Sequence, residues 1–123
     1  MLLGIVAGGK PYHDVKHALR NLGLGDGALE RAGIRILKLG MVSPLEPEIA
    51  REFAAGLDEI LVAEEKGPFV ETLLKEALYG TANAPRIVGK RDEQGAPLLP
   101  AELDLDADVI ARAVAARLGR RGV

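Results

Sequence analysis

Ile60-Leu61-Val62-Ala63-Glu64-Glu65-Lys66-Gly67-Pro68 is the stretch on which the fold turns. Four apolar residues run without alternation, then come two carboxylates, a cation, a Gly and a Pro. A half-exposed strand alternates, so an unbroken run of this length reads as a strand covered on both faces. The acidic pair then falls where the strand ends. In an open parallel sheet, that carboxyl end is where ligands and partners bind. What Glu64 and Glu65 face is therefore the central question.

Outward from this stretch the same grammar repeats. Leu2 to Ala7 is a second buried-strand run, broken by Gly8-Gly9, with Pro11 suited to the first turn of a helix. Tyr12, Val15, Ala18, Leu19 and Leu22 recur at helical spacing until Gly23 and Gly25. Ala28 to Ala32 adds one helical turn. Ile34 to Leu39 is a strand that partly alternates, with Arg35 outward, so part of it reaches a sheet edge. Gly40 to Pro47 is loop, and Pro47 opens a helix striped by Ile49, Ala50, Phe53, Ala54 and Leu57. After the central strand, Pro68 opens a helix whose broad apolar face holds Phe69, Val70, Leu73, Leu74, Ala77 and Leu78, closed by Gly80. Arg86 to Gly89 is a short fourth strand, and Lys90 to Glu102 an irregular excursion. Asp104 or Asp106 caps the last helix, whose buried face is Val109, Ile110, Ala113, Val114 and Leu118.

This β-α-β-α-β-α-β-α order predicts a three-layer α/β/α domain. Its mostly parallel open sheet has about four strands, joined by right-handed crossovers in the order 2-1-3-4. At 123 residues, one domain spanning 1–123 is expected. The chain begins inside its first strand, which suggests a fragment of a longer multidomain chain.

Composition narrows the function. With 48% apolar and 28% charged residues the chain is globular, and a net charge of −2 argues against nucleic acid as a partner. There is no cysteine, hence no disulfide, thiol or iron–sulfur ligation within the chain. No run is long enough to cross a bilayer and no signal peptide is evident, so a cytoplasmic protein is expected. Aromatic residues are 3% of the chain, too few for a base-stacking or sugar-stacking platform.

Candidate sites each have a plain alternative. Gly4, Gly9 and Lys10 match the G-x-x-x-x-G-K part of a phosphate loop, but Pro11 stands where Ser or Thr would bind Mg²⁺, and Gly4 lies inside the strand. A milder reading remains: Gly8, Gly9 and Lys10 at a helix N-terminus could hold an anion. Otherwise the glycines serve a tight turn. His13 and His17 stand at i and i+4, a metal-ligand spacing, yet no third ligand is evident, and solvated or interface histidines are the favoured reading; no metal site is expected. Glu64 and Glu65 are adjacent in an extended segment and so point to opposite faces. One could act as a general base; the alternative is that a strand-end Glu caps the next helix or, with Lys66, lies at an interface. The one serine, Ser43, precedes Pro44 without a nucleophile-elbow pattern, so no self-contained nucleophilic enzyme can be built.

Gly4-Ile5-Val6-Ala7-Gly8-Gly9 with Tyr12 and Val15 resembles the thiamine-diphosphate-dependent 2-oxoacid:ferredoxin oxidoreductases. So do Leu37-Lys38-Leu39-Gly40-Met41-Val42-Ser43-Pro44-Leu45 and Phe53 to Lys66. The match is to the indolepyruvate ferredoxin oxidoreductase family, in the domain that looks like the transketolase C-terminal domain. Arg86-Ile87-Val88-Gly89-Lys90 and Leu98-Leu99-Pro100 are similar as well. The resemblance implies a larger enzyme that decarboxylates an aryl pyruvate on thiamine diphosphate, passes electrons through iron–sulfur clusters to ferredoxin, and delivers the acyl group to CoA. Thiamine diphosphate, Mg²⁺ and the clusters are expected in that full enzyme and none in this chain. Gly25-Asp26-Gly27 lies in a loop without the Asn that completes a thiamine-diphosphate motif. The family's catalytic motifs lie outside the matching region, so no catalytic residue is carried over and the chain alone should not turn over. Other domains or subunits of the oxidoreductase are the expected partners, and a homo-oligomer is compatible with this reading. Two alternatives stand beside it: a stand-alone α/β module binding a nucleotide or anion at Gly8-Gly9, and the C-terminal domain of another transketolase-like 2-oxoacid dehydrogenase.

Overall fold

The computed structural model describes residues 2–8, 10–39, 47–64, 69–82, 84–99 and 106–120. Along the chain these form β1 (Leu3–Gly8), α1 (Lys10–Asn21), α2 (Asp26–Ala32), β2 (Ile34–Leu39), α3 (Pro47–Ala54), β3 (Glu59–Ala63), α4 (Phe69–Leu78), β4 (Arg86–Val88) and α5 (Ala107–Arg120). The strands make one sheet in the order β2-β1-β3-β4, with every pair parallel. This is the order expected from the alternation of elements. The chain steps from β1 to β2 on one side, then crosses over to β3 on the other, which leaves a topological switch point between β1 and β3.

The apolar runs of β1 and β3 are unbroken because alternate residues feed two different cores. Leu3, Ile5 and Ala7 with Leu61 and Ala63 pack under α1 and α5 against Val15, Leu19, Ile110 and Val114. Val6, Ile60 and Val62 pack on the opposite face against α3 and α4, through Phe53, Leu57, Leu74 and Leu78. All five residues of β3 are buried, Glu59 included. A strand between two helical layers must be apolar at both parities.

Gly4 shows the tightness of the second core. A Cβ there would lie 2.5 Å from Leu57 Cδ1 and 3.0 Å from the Phe53 ring. The glycine is a packing requirement of β1, and its match to a phosphate loop is a coincidence of spacing.

Several local expectations need adjusting. Gly25-Asp26-Gly27, read as loop, leads into α2, which begins at Asp26 and is longer than one turn. Ile49 and Leu73, placed on the buried stripes of α3 and α4, are 45% and 44% exposed. α3 has eight residues, so the sheet needs only the Ala50–Phe53–Ala54 part of its stripe. The excursion after β4 has some order: Arg91 bridges to Pro97 in antiparallel sense, and Asp92 Oδ1 accepts the N–H groups of Gln94 and Ala96, each at 2.9 Å. At the last helix, Asp106 accepts the Val109 N–H at 2.8 Å and is the N-cap of α5. Asp104 lies outside the described residues.

Candidate functional site

The carboxyl ends of β1 and β3 border a cavity of about 310 Å³, lined among others by Val6, Gly8, Val62, Ala63, Glu64 and Val70. It sits at the switch point, where an open α/β sheet offers its binding crevice. Most of its lining is apolar. The polar group of interest is Glu64.

Strand parity fixes where Glu64 points. Ile60 and Val62 face α3 and α4, and Glu64 continues that parity beyond the end of β3. Its carboxylate is held at the start of α4, accepting the N–H of Val70 at 2.9 Å and of Glu71 at 3.0 Å. These belong to the first-turn donors that a helix cannot satisfy internally, and the positive end of the helix favours the anion there. Glu64 is thus the cap of α4, one of the two alternatives that the sequence left open.

A second layer secures this corner. Lys90, only 8% exposed just beyond β4, donates from Nζ to the Glu64 carbonyl. Its N–H lies 3.4 Å from Glu71 Oε1, and Glu71 Oε2 pairs with Lys75 Nζ at 2.8 Å. A Cβ at Gly89 would collide with the Glu71 carboxylate. Glycine at 89 lets a buried acid of α4 reach the chain leaving β4. Glu64, Glu71 and Lys90 therefore join the ends of β3, α4 and β4 through hydrogen bonds within the domain. Such an arrangement orders a corner; proton transfer to a ligand would need one of these groups aimed outward.

The remaining candidates disperse. Glu65 and Lys66, and Gly9 of the anion-binding trio, lie outside the described residues. Gly8 ends β1 at the cavity, and Lys10 begins α1 with Nζ 2.8 Å from Asp14 Oδ2. His13 and His17 are exposed on α1, His13 meeting Tyr12 edge-on with centroids 5.7 Å apart. Among the described residues no three His, Cys, Asp or Glu side chains gather as a metal site. The chain has no cysteine for an iron–sulfur cluster. Gly25-Asp26-Gly27 leads into the seven-residue α2 ahead of β2, at the start of that strand and not at the carboxyl ends that border the cavity.

Sequence reasoning missed a second polar centre at the opposite end of the sheet. Glu59 begins β3 and Arg117 lies near the end of α5; they are 4% and 3% exposed. Arg117 Nε donates to Glu59 Oε2 at 2.7 Å, and Nη2 donates to Glu59 Oε1. Glu93 of the excursion accepts from Arg117 Nη1 at 3.1 Å and Nη2 at 2.8 Å. Arg86 Nη1 adds a contact to Glu93 at 3.0 Å. Hydrogen bonding to Glu59, then to Glu93, raises the Arg117 pKa above its ordinary value, against the opposing effect of burial. Helical spacing marks only one member. Arg117 stands at i+3 and i+4 from Val114 and Ala113 on the buried stripe, where an arginine needs a buried carboxylate.

The family model described as indolepyruvate oxidoreductase domain matches residues 2–123. The indolepyruvate oxidoreductase subunit IorA of Methanothermobacter thermautotrophicus is 32% identical over 122 residues, covering 98% of this chain and 18% of the relative. The subunit of the same name from Thermococcus kodakarensis is 36% identical over 88 residues, covering 72% of this chain and 12% of the relative. The chain thus spans less than a fifth of the length of these curated relatives. Among solved structures, a split-gene transketolase described as an inactive beta4 tetramer superposes with a TM-score of 0.64 at 21% identity, over 96% of this chain and 38% of that one. At that identity the likeness speaks for the fold, which is the transketolase-like one expected from the sequence.

Proposed function

This chain belongs to the indolepyruvate oxidoreductase domain family, and from that premise we propose that it is a non-catalytic packing domain, 1–123, within a larger cytoplasmic oxidoreductase. That enzyme would decarboxylate aryl pyruvates oxidatively, forming acyl-CoA and passing the electrons to ferredoxin. Its thiamine diphosphate, Mg²⁺ and iron–sulfur clusters would sit in other domains or subunits. The observation that carries this reading is the engagement of Glu64. The one acid at the carboxyl end of β3 whose side chain is described is turned onto the N–H groups of α4, which is the work of a structural cap. Glu65 and Lys66, next in sequence, would then stand at the border with neighbouring domains.

Two measurements test the proposal. Calorimetry on the isolated chain should show no heat of binding for thiamine diphosphate, CoA or ADP. Co-expression with the remaining polypeptides of the oxidoreductase should give a complex that contains the chain. Micromolar ADP binding lost on Lys10→Ala would instead favour a stand-alone anion-binding module at Gly8 and Lys10. Failure to join any complex would overturn the packing role.

A further inference from the structure

We propose that residues 91–97 form a strap that opens while both apolar cores stay folded, and that the Glu93 carboxylate on Arg117 is its latch. The inference is independent of the packing role above.

The segment leaving β4 has a fixed base and an exposed tip. At the base, Lys90 and Leu99 are buried, and Leu99 joins the core under α1 and α5. The Leu98 and Leu99 N–H groups close the base on the carbonyls of Lys90 and Gly89, at 2.8 and 3.1 Å. Beyond it, Arg91, Gln94, Gly95, Ala96 and Pro97 are exposed, and no residue of 91–97 belongs to either core. The tip carries bonds of its own. The Asp92 N–H donates to Ala96 O at 2.8 Å, the Gly95 N–H to Asp92 O at 3.1 Å, and Arg91 Nη1 to Gly95 O at 2.8 Å. A lone two-stranded hairpin is marginal in water, so the tip stays ordered while it is held against the body.

Glu93 supplies that hold. Its carboxylate accepts from Nη1 and Nη2 of Arg117 and lies 3.0 Å from Arg86 Nη1. The other side of the Arg117 guanidinium belongs to Glu59, through Nε and Nη2. This division decides what opening costs. When Glu93 leaves, Arg117 keeps a buried carboxylate partner, so no unpaired charge is left inside. The Arg86 side chain is already 52% exposed and is solvated in either state. Glu93 reaches water with the tip. Opening therefore breaks charge-assisted hydrogen bonds but exposes neither core, which sets its cost below that of global unfolding.

Native-state hydrogen exchange on the 123-residue chain tests the proposal. The Asp92 and Gly95 amides report the strap; those of Leu61 and Val62, inside β3, report global unfolding. Corrected for intrinsic rates, the strap amides of the parent should exchange at least about a hundredfold faster than those of β3. Low urea should speed the β3 amides and leave the strap amides unmoved, because strap opening exposes little surface. Gly4→Ala strains the core at β1. It should accelerate Leu61 and Val62 and leave Asp92 and Gly95 within about twofold, since it costs the closed and open strap alike. Glu93→Gln weakens the latch and should accelerate Asp92 and Gly95 by at least about tenfold. Strap amides that rise in step with β3 under urea or Gly4→Ala open only through global unfolding, and overturn the proposal. Strap amides of Glu93→Gln at the parent rate also overturn it, because something other than Glu93 then holds the strap. If Gly4→Ala fails to fold, the urea series on the parent decides whether the strap opens alone.

Discussion

Glu59 and Arg117, 58 residues apart in sequence, meet in a buried two-point ion pair with Arg117 Nε 2.7 Å from Glu59 Oε2. Through it the start of β3 is tied to the end of α5, and Glu93 ties the excursion after β4 to the same guanidinium. Removing one partner of a buried pair leaves the other charged and desolvated. Arg117→Met should therefore cost about 3–5 kcal/mol in urea unfolding. The double variant E59L/R117M removes both charges and should recover most of that loss, since Glu93 keeps Arg86 at 3.0 Å. A single variant within about 0.5 kcal/mol of the parent, the usual range for surface changes, would show that the pair contributes little. The sign of the pH effect follows from the raised Arg117 pKa: this group's contribution is complete below its ordinary pKa and fades only above it. Stability between pH 7 and 10 should not change through this residue.

Glu64 separates capping from catalysis. Glu64→Ala should destabilise the domain by about 1 kcal/mol, as loss of a helix cap does. Glu64→Gln, which keeps one acceptor oxygen, should lose less. In the assembled oxidoreductase, Glu64→Gln should leave turnover within about twofold, far from the 10²–10⁴-fold loss expected on removing a general base. A loss of that size with an unchanged unfolding midpoint would return Glu64 to the list of proton carriers.

Gly4 offers a steric test of the phosphate-loop match. Gly4→Ala forces the new methyl against Leu57 Cδ1 and the Phe53 ring. Overpacking of this kind costs about 1–3 kcal/mol, which denaturant unfolding will read directly. Binding of inorganic phosphate should be unaffected. Leu57→Ala in the same background should relieve part of the strain, so the two substitutions should be less than additive.

Arg35 joins strand to helix. Its Nη1 group bridges the carbonyls of Phe53 and Ala55 at the end of α3, where unsatisfied C=O groups accept a cation favourably. Arg35→Lys should lose most of this, because a single ammonium on a flexible stem does not reproduce the guanidinium fork. A cost of about 1 kcal/mol is expected for either Arg35→Lys or Arg35→Met, measured by thermal or urea unfolding. A lysine variant as stable as the parent would mean the charge alone suffices.

The sheet was legible because its signals are local. Unbroken apolar runs at Leu2–Ala7 and Ile60–Ala63, punctuated by Gly and Pro, state that strands lie between two helical layers, and the element order then leaves few topologies. The capping role of Glu64 was half legible: parity separated it from Glu65, but which helix would receive it depends on how the chain turns after β3. The Glu59–Arg117–Glu93 centre was not legible. Its members come from a strand, a helix and an irregular segment, and no spacing rule links residues that meet only after the sheet closes. Ile49 and Leu73 misled for the opposite reason. Helical periodicity reports an apolar stripe without saying how wide a strip the sheet covers.

The two parities of β3 carry different obligations: Glu59 must face α5, and Glu64, five positions on, must face α4. Substitution within Ile60–Ala63 can be absorbed by repacking one layer at a time. Inserting or deleting a single residue there cannot, because it changes the relative parity of Glu59 and Glu64 and puts either the ion pair or the cap on the wrong side of the sheet. Length in this segment is therefore held more tightly than identity, and the divergence of related domains in chain length should fall in the connections and spare the five residues of β3.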